Sequence, residues 1–223
     1  MADYLSVPRN RIHVVPHGLN LAGHSPRPPR PADQPPTIGY FARICADKGL
    51  HNLIAAVELL LDDSSLPPFQ VRAAGYLGQS DRHYLETIQR RVAGWKSPER
   101  FEYVGEVTRA EKIAFLHSVD CMSLPTVYRE SKGLSVLEAL ANAVPVVLPN
   151  HGSFPEIIRT TGGGMLFAAD HPEALAEALR QVLLNPADWA ERGRRGREVI
   201  QREFNAGLMA RRHQALYRGL AAS

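Results

Sequence analysis

The stretch DCMSLPTVYRESKGLSVLEALANAVPVVL, Asp120 to Leu148, decides the fold. Asp120–Leu124 is a short apolar run stopped by Pro125. An apolar helix is expected over Lys132–Asn142, and a second short run, Pro145–Leu148, follows at once. Strand, helix and strand of these lengths form a βαβ crossover. The strands do not alternate polar with apolar residues, as strands buried on both faces of a parallel sheet need not.

The same alternation extends upstream and downstream. Strands are expected at Thr37–Phe41, Phe69–Ala74, Phe101–Val104 and Gly164–Phe167. Helices are expected at Gly49–Leu61, Asp81–Ala93, Thr108–Ser118 and Phe154–Arg159. In the first helix Leu50, Leu53, Ile54, Val57, Leu60 and Leu61 share one face. Thr108 with Glu111 three residues on forms a capping box. Three helices close the chain: Pro172–Leu184, Pro186–Glu203 and Ala206–Leu220. The fold class is α/β, a doubly wound parallel sheet, and its ligands belong at the carboxyl ends of the strands.

Before this pattern, Arg11–Val15 reads as a short strand closed by Pro16-His17-Gly18. Ser25–Pro36 (SPRPPRPADQPP) is too poor in apolar residues to fold alone and reads as a linker. The division is therefore residues 1–24 as the tail of an earlier unit, 25–36 as linker, 37–185 as the α/β domain and 186–223 as closing helices.

Composition narrows the function classes. The 223 residues are 44% hydrophobic and 22% charged, enough to bury a core without a disulfide or metal staple. The net charge of +3 has a local source, arginines between Arg192 and Arg218. Glu191, Glu198 and Glu203 lie among them, so i,i+4 pairing on a solvated helix accounts for the excess. Aromatic residues do not interleave with these arginines as a base-stacking surface would require, which argues against nucleic acid. Cys45 and Cys121 fit no zinc spacing and suit a reducing compartment. No run approaches a membrane span and no signal peptide is visible, so a cytoplasmic location is expected.

Two loops carry candidate chemistry. Ala42-Arg-Ile-Cys-Ala-Asp-Lys-Gly49 lacks both GxGxxG and the Walker pattern, which disfavours a nicotinamide dehydrogenase. It places Arg43 and Lys48 between a strand end and a helix start, where amides and the helix dipole suit a diphosphate. Ordinary surface charge on a βα loop would read the same way. In the second loop, seven residues separate Glu130 from Glu138, one before a helix and one inside it, with the helix-start amides of Ser131–Ser135 between. Such groups can converge on one ligand, carboxylates taking sugar hydroxyls and amides taking phosphate. Two unremarkable glutamates near a helix N-terminus explain the spacing too.

On these residues the chain resembles the C-terminal half of GT-B-fold retaining glycosyltransferases of family 4 (glycosyl transferases group 1), a Rossmann-like domain. The resemblance rests on Glu130-x7-Glu138 with the following ALANAVPVV and Gly152-Ser-Phe-Pro-Glu-Ile-Ile. It also rests on Gly39-Tyr-Phe-Ala-Arg43-x4-Lys48-Gly49-Leu50, on Val14-Val-Pro-His-Gly-Leu-Asn20 and on Phe101-x3-Gly105, and runs from about residue 3 to 185. It implies that Arg43 and Lys48 hold the donor diphosphate and Glu130 the transferred sugar. By the same resemblance Glu138 binds the ribose, Gly133 and Leu134 offer amides, and Gly105 to Val107 take the base. The implied donor is a UDP-, GDP- or ADP-sugar, used with retention and without metal or cofactor. The two glutamates are then not the acid and nucleophile of a glycoside hydrolase. The resemblance also implies a second Rossmann-like domain before residue 1, an isolated chain that binds donor without turnover, and a full-length protein able to sit at the inner membrane surface. The acceptor is left open. A non-catalytic nucleotide-binding or protein-interaction module on the same fold is the rival, for which these side chains would be dispensable.

Some residues depart from the pattern or stand outside it. Ala143 stands where the family has Gly, and Tyr128-Arg129 replaces more generic residues and could shape sugar choice. His51, His117 and His151 fit no metal spacing and read as surface or loop histidines. Trp95 and Trp189 read as packing residues.

Overall fold

The computed structural model describes Tyr4 and residues 6–221. Six strands form one sheet: β1 (Thr37–Phe41), β2 (Gln70–Ala74), β3 (Phe101–Gly105), β4 (Cys121–Ser123), β5 (Val146–Pro149) and β6 (Gly164–Phe167). All pairings are parallel and the order is β3-β2-β1-β4-β5-β6. The chain winds outward from β1 through β2 to β3, returns to the far side of β1, and winds outward again through β5 to β6. This is the doubly wound, Rossmann-like α/β arrangement, with its switch point between β1 and β4.

The helices are α1 (Leu50–Glu58), α2 (Arg82–Ala93), α3 (Arg109–His117), α4 (Leu134–Ala141), α5 (Phe154–Thr161), α6 (Pro172–Leu184), α7 (Pro186–Glu203) and α8 (Ala206–Ala221). α1 packs on α2 and α6, and α4 and α5 pack on α7, so helices flank the sheet. Leu50, Leu53, Ile54 and Val57 of α1 are buried, as their spacing requires, and Leu60 is buried in the turn beyond the helix end. All four residues of β5 are buried, which is why that strand shows no alternation. The α3 capping box forms: Thr108 N–H donates to Glu111 Oε2 at 2.7 Å and Glu111 N–H to Thr108 Oγ1 at 3.4 Å. Trp95 and Trp189 are buried. On α7, Arg194 pairs with Glu191 and Glu198.

α4 ends in a Schellman motif. Val144 N–H donates to Ala139 O at 3.0 Å and Ala143 N–H to Leu140 O at 2.9 Å. Ala143 supplies the left-handed residue, φ +60°, that such an ending needs. Its departure from the family's Gly is therefore not neutral, since a Cβ is strained there.

Two sequence expectations are corrected, the strand at Arg11–Val15 and the surface reading of His51 and His117. Arg11–Val15 is not a strand. A 3-10 turn covers Arg9–Arg11, Val14 is 82% exposed, and the nearest sheet-like contact is a single bridge from Leu19 to Asn205. β-propensity alone makes no strand where no neighbour offers a ladder of partners. The Pro-rich segment 25–36 has no regular element, yet it is strapped down. Arg27 N–H donates to Asn142 O at 2.8 Å, and Arg27 and Arg30 both reach Asp120, at 3.2 and 3.3 Å. Prolines removed the donors that would have made an element, while arginines supplied an anchor. His51 and His117 are half-buried and bonded rather than free on the surface: His51 Nδ1 lies 2.9 Å from Tyr84 Oη, and His117 Nε2 3.2 Å from Asn142 Oδ1.

Candidate functional site

The loops after β1 and β4 flank the switch point and are locked to each other. Val127 N–H donates to Asp47 O at 3.0 Å and Asn52 Nδ2 to Pro125 O at 3.3 Å. Gly49, the N-cap of α1, has φ +74°, and a Cβ there would lie 1.8 Å from Pro125 O. Only glycine satisfies both the left-handed backbone and that approach. A third loop joins through Ile44 N–H to Tyr76 O at 2.8 Å.

Lys48 and Glu130, 82 residues apart in sequence, meet across these loops. Lys48 Nζ lies 2.7 Å from Glu130 Oε2, and both side chains are mostly buried. Tyr128 closes a triangle: its hydroxyl donates to Glu130 Oε2 at 2.6 Å and accepts from Lys48 Nζ. Lys48 also stands 4.7 Å from the Tyr128 ring centroid, a cation–π contact. The other oxygen of Glu130 accepts from Ser131 N–H at 3.0 Å. Burial alone would raise the Glu130 carboxyl, but the bonds from Lys48 and Tyr128 outweigh it and bring it down to about 2. Burial likewise opposes the Lys48 charge, and its bonds to Glu130 and Tyr128 raise its affinity for the proton regardless.

Behind this triangle α4 begins at Gly133, φ +62°, and no side chain caps its first turn. Helix-start amides without a side-chain cap, at a strand's carboxyl end, suit an anion. Leu134 is partly exposed there. Glu138, one turn further, does not join Glu130 on a common partner. Its Oε1 pairs instead with Lys112 Nζ of α3 at 2.5 Å. Arg43 is exposed, and its Nε donates to Cys45 Sγ at 3.3 Å, with no carboxylate partner among the described residues. That bond with the thiol raises the Arg43 affinity for its proton. Gly105, φ +97°, ends β3, and its carbonyl accepts from Gly75 N–H at 2.9 Å; Val107 is half-buried beyond it. His151 packs on Phe154 and its Nε2 lies 2.9 Å from Thr126 O. Among the described residues no group of three or more His, Cys, Asp or Glu could hold a metal ion.

Residues 24–199 match the profile of the glycosyl transferases group 1 family. The chain belongs to that family. It is 30% identical over 194 residues to a glycogen synthase of Mycobacterium tuberculosis, an alignment that covers 87% of this chain and 45% of that enzyme. Against the solved sucrose-phosphate synthase of Thermosynechococcus elongatus the TM-score is 0.80 at 27% identity, covering 95% of this chain and 53% of the other. An Anabaena structure in complex with UDP superposes at TM-score 0.81 and 17% identity, over 99% of this chain and 60% of that one. The group 1 chain thus spans about half the length of such relatives.

Within this group 1 domain the sequence reading missed two participants. Lys112, which holds Glu138, sits on a helix whose role seemed confined to capping, and nothing in local spacing ties it to α4. His24 is buried beside the same pair, although the tail of residues 1–24 was expected to lie outside the domain. A histidine just before a Pro-rich segment was the available signal.

Proposed function

We propose that this chain is the donor-binding half of a retaining glycosyltransferase, which moves a sugar from a nucleoside diphosphate to an acceptor without a metal. The observation that carries the reading is the meeting of Lys48 and Glu130 at the switch point, beside the uncapped start of α4. A diphosphate placed between α1 and α4 would draw Lys48 away from Glu130 and recruit Arg43. The released Glu130 would then accept from hydroxyls of the transferred sugar. Glu138 would take the ribose hydroxyls, and the backbone of Gly105 to Val107 the base. Gly133 and Leu134 would present amides to the sugar-phosphate. As the bond from the anomeric carbon to the diphosphate oxygen breaks, negative charge grows on the leaving group. Lys48 and Arg43, once turned to the diphosphate, would meet that charge together with the helix amides as electrostatic stabilisation.

The acceptor would come from a second Rossmann-like domain. A groove of about 530 Å³ between Val14–His17, the start of α4 and the α7–α8 corner opens next to Ser131 and Lys132, and suits that domain's edge. The relatives' lengths support such a two-domain enzyme, in which this half alone binds donor without turnover.

Calorimetric titration of the chain with UDP-, GDP- and ADP-sugars tests the reading. The expected result is binding by one of them, weakened about tenfold or more by Arg43→Ala and by Glu138→Ala, since each removes a charge-assisted bond. No binding at millimolar ligand, or affinity indifferent to both substitutions, would instead support the non-catalytic module.

A further inference from the structure

His24 lies on the segment that leads into the domain, and its side chain is buried under α3, α4 and α7. Arg109 of α3 pins this segment through the carbonyls of Asn20 and Ala22, at 3.1 and 2.7 Å, and Arg197 of α7 reaches the His24 carbonyl. The ring meets Asn142, the C-cap of α4. Asn142 Nδ2 lies 2.8 Å both from His24 Nδ1 and from Glu138 O. A carbonyl can only accept, so the Nδ2 end of the amide is a donor, and His24 Nδ1 accepts its second hydrogen. Asn142 Oδ1 faces His117 Nε2 at 3.2 Å, which completes a consistent amide orientation. A neutral His24 ring with Nδ1 accepting carries its proton on Nε2.

That Nε2–H is buried and has no hydrogen-bond partner among the described residues. An unmet donor at such depth is costly unless another state satisfies it. Asn142 is the C-cap of α4 and its Nδ2 holds the Glu138 carbonyl, so the ring that touches Asn142 lies near Glu138, whose charge acts on it. The charged groups that act on His24 are Glu138 on α4 and Arg109 and Lys112 on α3. Burial lowers its proton affinity, Glu138 opposes that, and the two cations add to it. The ring is therefore held neutral at pH 7.

We infer that His24 is a positioning residue for Glu138, its Nε2–H taking a carboxylate oxygen when ribose hydroxyls draw Glu138 out of its pair with Lys112. The terminal torsion of a glutamate is soft, so a rotation of the carboxylate suffices to bring the second oxygen to the ring. His24 then takes over from Lys112 as the donor that aims the lone pairs the ribose uses. The inference rests on the reading of Glu138 as the ribose carboxylate, and the test separates the two.

UDP and 2′,3′-dideoxy-UDP, or the GDP or ADP pair where that nucleotide binds more tightly, are titrated into the 223-residue chain and three variants. The unsubstituted chain is expected to bind the dideoxy form about tenfold more weakly. In Glu138→Gln that penalty falls to about threefold or less. His24→Phe keeps the ring volume without the donor and shows the same collapse. His24→Gln offers an amide N–H where Nε2–H stood and restores the penalty. A structural role alone would lower affinity for both ligands equally, so a full penalty retained in His24→Phe overturns the inference. A full penalty retained in Glu138→Gln refutes the ribose reading instead. Long-range ¹H–¹⁵N spectra of the ligand-free imidazoles decide the contact itself, whatever the nucleotides do. His24 is expected as the Nε2–H tautomer, with a titration that moves to lower pH in Glu138→Gln. The Nδ1–H tautomer, or a titration unmoved by that substitution, overturns the inference.

Discussion

Lys48 carries a charge with two claimants, the carboxylate that holds it now and the diphosphate proposed to take it. In the free chain Glu130 is the partner, and its carboxyl is drawn down to about 2 from a usual 4.5. A depressed carboxyl contributes stability that is fully present above its unfolded value and is lost as pH falls through the folded one. Glu130→Gln is therefore expected to destabilise the chain at pH 6, by at most about 3 kcal/mol, and the gap to close between pH 4.5 and 2. Urea unfolding across that range measures it, and a gap independent of pH would contradict the pairing. Tyr128 gives a second prediction. Its bond to Glu130 exists in the free state and is lost if sugar hydroxyls take Glu130. Tyr128→Phe should therefore tighten donor binding about fivefold, the worth of one hydrogen bond of about 1 kcal/mol. Weaker binding by calorimetry would show that the hydroxyl serves the bound state. Lys48 and Glu130 were legible as candidates because both follow strands. Their mutual contact was not, because a distance between loops after β1 and β4 depends on the whole sheet. The pair of Glu138 with Lys112 was hidden for the same reason, since Lys112 comes from a third element.

At the scale of elements, the end of α4 is strained where it is otherwise well made. Both Schellman bonds form, yet Ala143 holds a φ of +60°. Ala143→Gly is expected to stabilise the chain by about 1 kcal/mol, because relief of the Cβ clash outweighs the added freedom of the unfolded chain. Thermal and urea unfolding check this, and a destabilised variant would mean that the methyl group packs for more than it strains. The strands and helices of the sheet domain were readable to within a few residues, since buried parallel strands are apolar throughout and helices repeat at 3.6. Arg11–Val15 was misread because its residues favour extended backbone, while pairing is a property of neighbours that local sequence does not encode.

At the scale of the molecule, the Pro-rich strap ties the chain's entry to the amino end of the central strands. Asp120 accepts from the Thr37 backbone at 2.9 Å as well as from Arg27 and Arg30. Asp120→Ala leaves two cations and an amide unmatched and is expected to cost about 2 kcal/mol. The Arg27 amide, bonded to Asn142 O, should then exchange with solvent hydrogen faster. Unchanged exchange would show that the strap is held by its prolines and not by its charges. His24, just before the strap, packs against Asn142 next to Glu138, so the entry segment and the proposed donor site are in direct contact. No helix among the described residues is long and apolar enough to cross a membrane.

The close approach of Gly49 to Pro125 bears on how such domains can be recombined. Loops that touch through backbone atoms with no space for a methyl group cannot be exchanged singly. A chimera that imports the β4–α4 loop from a relative to alter sugar preference must import the β1–α1 loop with it. Otherwise the displaced carbonyl meets the old turn, and the graft fails by misfolding before any change of specificity can be read.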